Sequence, residues 1–82
     1  MVKELVVYSS NHCIFCTKLK EWLKENKISY TNKDIDIPEI REEFKQFNVP
    51  GIPFSLITDK STGETLKIIG FRPEKFKQIF NL

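Results

Sequence analysis

The chain lacks several features that would point to a membrane, a secreted or a nucleic-acid-binding protein. Its longest apolar runs are about four residues, far below the ~20 needed to cross a bilayer. Met1-Val2-Lys3-Glu4 leads directly into a predicted strand, so we expect no signal peptide. The formal net charge is only +2 with both signs interspersed, without the basic stripe typical of nucleic-acid-binding proteins. We therefore expect neither a membrane nor a nucleic acid as a partner.

Cysteine and histidine are also scarce: the chain has Cys13, Cys16 and a single histidine, His12. Two cysteines without a signal peptide fit a reducing cytoplasm, where such a pair is more often catalytic or metal-binding than structural. A structural zinc site needs about four ligands. These three residues fall short of that number within one chain, so we expect no metal, although a metal shared between two chains stays open.

The apolar pattern predicts one α/β domain over residues 1–82. With 82 residues, including seven Phe and one Trp, the chain is long enough for a single core. Strands are predicted at residues 5–8, 28–34, 54–58 and 64–69. Three helices are predicted: the first at residues 13–26, the second from an N-cap at Asp36 to the break that begins at Asn48, and the third from Pro73 onward. The order βαβαββα predicts a four-stranded mixed sheet flanked by three helices.

Helical periodicity predicts which residues are buried in the helices. In the first helix, Phe15, Leu19, Trp22 and Leu23 share one face. The second helix has an equivalent face, formed by Ile37, Ile40, Phe44 and Phe47. For Phe15 a second interpretation is open, because an exposed ring between the cysteines could pack against a substrate.

The spacing Cys13-Ile14-Phe15-Cys16, which follows a predicted strand and a short polar turn and stands at a helix start, is typical of a redox site. Unpaired N–H groups and the helix dipole favour negative charge at this position. The thiolate is the nucleophile in disulfide exchange. We expect Cys13, nearer the helix start, to be exposed and Cys16 to lie one turn further in.

Three segments together resemble the glutaredoxin family of the thioredoxin superfamily. They are Cys13-Ile14-Phe15-Cys16, then Gly51-Ile52-Pro53-Phe54 before the third strand, and Ile69-Gly70-Phe71-Arg72-Pro73-Glu74 before the last helix. Their order and spacing match the family over nearly the whole chain. The resemblance implies a thioredoxin (glutaredoxin-type) fold and a cytoplasmic thiol–disulfide oxidoreductase that acts on disulfide-containing proteins.

The resemblance assigns roles to individual residues. It makes Cys13 the nucleophile and Cys16 the resolving thiol, and it makes Ile52-Pro53 the cis-proline segment that pairs with a bound peptide or glutathione. Pro50 is the competing proline. Glutathione or substrate contacts are implied for His12, Phe15, Ile52, Pro53, Gly70, Phe71, Arg72 and Glu74. For His12, Arg72 and Glu74, an ordinary surface position is the alternative.

The resemblance implies a glutathione-dependent glutaredoxin that reduces protein or glutathione mixed disulfides as a monomer, with glutathione as its reducing cosubstrate. Two departures leave alternatives open. Ser10 stands where many members carry a lysine for a glutathione carboxylate, and Gly70-Phe71-Arg72-Pro73 resembles NrdH-type redoxins. Those redoxins are reduced by thioredoxin reductase and donate electrons to ribonucleotide reductase. The third alternative is an iron–sulfur carrier, formed as a glutathione-bridged dimer.

Overall fold

The computed structural model of the chain describes residues 3–82, and its element order is the predicted βαβαββα. In chain order the elements are β1 (Lys3–Ser9), α1 (Ile14–Glu25), β2 (Thr31–Asp34), α2 (Pro38–Lys45), β3 (Phe54–Asp59), β4 (Thr65–Ile69) and α3 (Pro73–Phe80). Within this part of the chain, no helix combines the length and the apolar character needed to cross a membrane.

The four strands form one mixed sheet in the order β2-β1-β3-β4. β1 runs parallel to β2, with Val6 opposite Thr31, and antiparallel to β3, with Tyr8 opposite Phe54. β4 returns antiparallel to β3. β1 and β3 are therefore the inner strands, which agrees with their apolar sequences, and the α/β thioredoxin-type fold is confirmed.

The main core lies between the sheet and the pair α1 and α3. Alternate side chains of a strand point to the same face, so Leu5 and Val7 of β1 share this side with Ile57 of β3 and Ile68 of β4. The helices contribute the buried residues Leu19, Leu23 and Phe76. The rings of Trp22 and Phe76 lie 5.9 Å apart and join the two helices.

A second, aromatic cluster joins α2 to the opposite face of the sheet. It consists of Tyr8, Phe44, Phe47 and Phe54, whose ring centres lie 5.2–6.0 Å apart. The hydroxyl of Tyr8 donates a hydrogen bond to the Glu43 carboxylate. Lys33 lies 2.6 Å from the same carboxylate oxygen. This contact set ties β1, β2 and α2 together.

The second strand begins later than predicted, at Thr31 instead of residue 28. The cause is the way α1 ends. Lys27 has a left-handed φ of 56°, and Ile28 donates its N–H to the Leu23 carbonyl at 2.9 Å. This closure is a Schellman motif, which keeps the residues after the helix turned back against it before the strand can start.

The start of α2 also differs from the prediction. Its N-cap is Ile37, which makes no side-chain cap bond, and Pro38 occupies the first turn. Asp36 does not cap the helix, because its carboxylate accepts the hydroxyl of Ser10 instead. Ile37 was predicted to face the core, but 45% of it is exposed.

Candidate active site

The two cysteines lie in the turn that joins β1 to α1, at different depths. Cys13 is the N-cap of α1 and is half-buried, whereas Cys16 is completely buried in the first turn. The Cys16 N–H donates to the Cys13 Sγ at 3.1 Å. A sulfur at this position receives one of the helix amides that has no partner within the helix. The predicted difference in exposure between the two cysteines agrees with the structure.

The surroundings of Cys16 keep its thiol protonated. Burial raises the pKa of Cys16 to about 12, and the contact with Cys13 acts in the same direction. A backbone bond from Ser10 and the charge of Lys20 oppose this rise only in part. A buried thiolate at Cys16 is therefore disfavoured near neutral pH, and the pair is chemically asymmetric.

Ser10 holds the shape of the turn. Its carbonyl accepts the Cys13 N–H at 3.3 Å, and its hydroxyl oxygen accepts the His12 N–H at 3.2 Å. The hydroxyl donates to the Asp36 carboxylate, with oxygen distances of 3.0 and 3.1 Å. Sequence reasoning missed this contact, because its partners are 26 positions apart and no spacing rule links them.

The cis-proline segment was predicted at Pro53, and the Ile52–Pro53 peptide bond is cis. Pro53 is buried, whereas Pro50 is exposed. The Pro53 carbonyl accepts the N–H of Gly70 at 2.8 Å. Gly70 has a φ of 89°, a backbone conformation that favours glycine. This bond brings two of the three family-like segments into direct contact.

The loop after β4 has an inner and an outer part. Phe71 is half-buried and packs against the main core. Arg72 is the N-cap of α3 without a side-chain cap bond, and Glu74 is exposed in the first turn of that helix. Within residues 3–82, neither Arg72 nor Glu74 forms an ion pair. Both charges are therefore open to solvent or to a ligand.

Phe15 does not join the core, contrary to the helical pattern. It is 59% exposed and Ile14 is 73% exposed. Lys18 places its Nζ 5.7 Å from the centre of the Phe15 ring. The structure therefore agrees with the second interpretation of Phe15, an exposed ring beside the cysteines. His12 is exposed as well.

Strand directions explain why these segments meet. The cysteine turn follows the end of β1, and the Gly70 loop follows the end of β4, while Pro53 directly precedes β3. Because β3 is antiparallel to both neighbours, its beginning and their ends lie at the same end of the sheet.

In the described part of the chain, no three His, Cys, Asp or Glu side chains are grouped as a metal site would need.

Comparison with known proteins agrees with this fold. A glutaredoxin-like protein NrdH from Lactococcus lactis subsp. cremoris is 29% identical over 76 residues, which cover 92% of this chain and 97% of that protein. The structure of the NrdH-redoxin from Escherichia coli superposes with a TM-score of 0.75 at 21% identity, covering 92% of both chains. The structure of the thioredoxin-like protein BC3987 gives a TM-score of 0.67 at 25% identity, covering 92% of this chain and 97% of that one.

The family profile described as Glutaredoxin matches residues 5–60. This match includes both cysteines, the cis-proline segment, most of β1 and the whole of β3. Since it spans more than half of the sequence, the chain belongs to the glutaredoxin family.

Proposed function

We propose that this protein is a thiol–disulfide oxidoreductase of the NrdH type, which is reduced by thioredoxin reductase and passes electrons to protein disulfides such as that of ribonucleotide reductase. The observation that carries the proposal is the position of the loop Gly70-Phe71-Arg72-Pro73. The Gly70 N–H donates to the Pro53 carbonyl, which places this loop at the same end of the sheet as the cysteines. This loop has the NrdH-like sequence, and the L. lactis relative is also an NrdH protein.

Cys13 performs the first half of the exchange. Its thiolate attacks one sulfur of a substrate disulfide, a new S–S bond forms, and the other substrate sulfur leaves as a thiolate that takes a proton from water. The half-buried position of Cys13 leaves its Sγ accessible, and the Cys16 amide stabilises negative charge on that sulfur.

Cys16 performs the second half. It loses its proton to water and attacks the Cys13 sulfur, which closes the internal disulfide and releases the second substrate thiol. The substrate gains two electrons and two protons, and the protein loses the same number. The raised pKa of Cys16 disfavours its thiolate, so Cys16 does not compete with Cys13 for the first attack on the substrate.

Exposed apolar side chains support a protein partner for this exchange. Ile14 and Phe15 lie between the cysteines and are both largely exposed. A solvated aromatic ring beside a nucleophile gains stability when a partner surface covers it. Ile52 lies just before β3, at the same end of the sheet as the cysteines, and we expect its backbone to pair with an extended segment of the partner.

Glutathione as the electron donor, which the resemblance also implies, has less support. The position that carries a lysine in many family members is Ser10, whose hydroxyl is already bonded to a carboxylate. Arg72 and Glu74 remain available for a ligand, so the contacts predicted for them stay predictions. A reducing cytoplasm, a monomeric state and the iron–sulfur alternative likewise stay predictions.

NADPH consumption distinguishes the two donors. Reduction of a protein disulfide is followed with thioredoxin reductase alone, and separately with glutathione plus glutathione reductase. We expect turnover with thioredoxin reductase and little above background with glutathione. Cys13→Ser is the control for both reactions, since it removes the attacking thiol. Turnover only with glutathione would overturn the proposal.

A further inference from the structure

We propose that Asp36 sets the charge preference of the site: held at the cysteine turn by Ser10, its carboxylate slows the reaction of anionic thiols with the Cys13–Cys16 disulfide. This inference rests on the proposed function and deepens it, because glutathione carries two carboxylates and one ammonium group. A negative charge fixed at the cysteine turn gives a physical reason for discrimination against such a thiol.

The hydrogen bonds of Ser10 fix where this charge lies. Ser10 is only 8% exposed, and its hydroxyl is within 3.1 Å of both carboxylate oxygens of Asp36. The carbonyl of the same serine accepts the Cys13 N–H. One residue therefore connects the carboxylate to the backbone of the attacked cysteine. A second strand-to-turn bond, from the Ile35 N–H to the Ser9 carbonyl at 2.9 Å, holds the Asp36 loop against the turn.

The charge of Asp36 is not compensated by an ion pair within residues 3–82. Arg41 approaches the same loop, but its Nε donates to the Ile35 carbonyl at 3.1 Å. The Asp34 carboxylate also lies here, since it accepts the Asp36 N–H at 2.9 Å. The loop therefore presents two carboxylates next to the cysteine turn, and Asp36 is the exposed one of the two.

Two lysines of α1 contribute to the same field. Lys18 lies over the Phe15 ring, and the charge of Lys20 acts on Cys16. The preference of the site for anionic, neutral or cationic thiols depends on the sum of the electrostatic effects of these side chains and Asp36. The contribution of Asp36 is therefore measured as the difference that its neutralisation makes, with all the other charges left in place.

Reduction of the oxidised protein by small thiols isolates this contribution. A thiolate attacks one sulfur of the Cys13–Cys16 disulfide, and the other cysteine leaves as a thiolate and is protonated by water. A second thiol then attacks the mixed disulfide, which releases a small-molecule disulfide and the reduced protein. Mercaptopropionate, mercaptoethanol and cysteamine present a negative, a neutral and a positive group to the turn. Rates are expressed per thiolate, so that differences in the acidity of the reagents are removed.

Asp36→Asn removes the charge and keeps an oxygen that can accept the Ser10 hydroxyl. We expect this variant to react about threefold faster with mercaptopropionate and about threefold slower with cysteamine, with the mercaptoethanol rate unchanged. The differences should shrink as salt is added, because ions screen exposed charges. Glutathione, measured in parallel, should follow mercaptopropionate.

Asp59→Asn is a matched control. The Asp59 carboxylate also accepts a serine hydroxyl, from Ser61 at 2.6 Å, but it ends β3 at the edge of the sheet opposite the cysteines. We expect no change in the ratio of the three rates. Ser10→Ala keeps the charge of Asp36 and removes the bond that holds it, so the ratio should move part of the way toward that of Asp36→Asn.

The outcome that overturns the inference is an equal change in all three rates, which would show that Asp36 only shapes the turn. Unchanged rates with all three thiols would overturn it as well. Turnover with thioredoxin reductase is measured on the same wild-type protein. If the wild-type protein shows no turnover with thioredoxin reductase but Asp36→Asn shows the expected dependence on thiol charge, only the proposed function is refuted. If the wild-type protein turns over with thioredoxin reductase but Asp36→Asn shows no such dependence, only the role of Asp36 is refuted.

Discussion

The backbone amide of Cys16 donates a hydrogen bond to the Sγ of Cys13 at 3.1 Å, so the two cysteines are hydrogen-bond partners in the reduced protein. The Cys16 thiol is in addition held protonated, first by burial and then by the contact between its own side chain and that of Cys13. Two cysteines three positions apart therefore differ in what they can do.

Serine substitutions should separate the two roles. We expect Cys13→Ser to abolish disulfide reduction, because no accessible thiol remains. Cys16→Ser should form a mixed disulfide with a protein substrate and stop there, and intact-mass spectrometry would detect the trapped complex. Trapping by Cys13→Ser and not by Cys16→Ser would reverse the assignment.

Alkylation should report the raised pKa of Cys16. Iodoacetamide reacts with thiolates, and burial holds the pKa of Cys16 at about 12. At neutral pH we expect the folded, reduced protein to gain one adduct, on Cys13. The rate at Cys16 should rise with pH until about 12, and unfolding in urea should remove the difference between the cysteines. Two adducts formed at equal rates at neutral pH would contradict this prediction.

Substitution of Phe15 should affect recognition without affecting folding. Because the ring is exposed, Phe15→Ala should change the free energy of unfolding by less than about 0.5 kcal/mol. We expect a higher KM for a protein disulfide and an unchanged rate with a small disulfide. Phe76→Ala is the contrast, since that ring is fully buried and its loss should cost about 3–5 kcal/mol. Denaturant titration and steady-state kinetics measure the two effects.

Acid should weaken the contact between α2 and the sheet. Hydrogen bonds from Lys33, which has the larger effect, and from Tyr8 lower the pKa of Glu43 below its ordinary value of 4.5. A carboxylate with a lowered folded-state pKa contributes stability above its unfolded pKa, and this contribution is lost as pH falls through the folded-state pKa. The melting temperature of Glu43→Gln should therefore depend less on pH below about 4.5 than that of the wild type.

Two substitutions serve as references for the Glu43 experiment. Glu39→Gln makes the same change of charge at an exposed glutamate of the same helix without the contact to Lys33 and Tyr8, and it should flatten the profile less than Glu43→Gln. Tyr8→Phe keeps the aromatic packing and removes only the hydroxyl donor, which should cost about 1 kcal/mol. If Glu39→Gln flattened the profile as much as Glu43→Gln does, the effect would belong to net charge rather than to this contact.

The sequence predicted the element order and the cysteine site because both depend on local patterns. Alternation and helical periodicity identify strands and helices, and a Cys-x-x-Cys pair at a helix start carries its chemistry in four residues. The late start of β2 was not predictable in this way. It depends on the bond from Ile28 back to Leu23, which competes with strand pairing for the same backbone groups.

Asp36 and Phe15 show a second limit. Aspartate before a helix is a good cap candidate, but here Ser10 from a distant segment binds its carboxylate. Periodicity aligned Phe15 with Leu19, yet periodicity gives only the direction of a side chain and not how far the neighbouring surface extends. The contacts of Tyr8 with Glu43 and Lys33 were missed for the same reason, because three separate elements supply them.

The position of β1 and β3 at the centre of the sheet has a consequence for the lifetime of the site. The cysteine turn and Pro53 are attached to these two strands, which pair with each other over six residues. The short strands β2 and β4 are the outer strands of the sheet. Outer segments of a domain open and close locally far more often than its centre. Such an opening leaves the two central attachments in place, so we expect the cysteine turn and Pro53 to stay joined through β1 and β3 when an outer strand detaches.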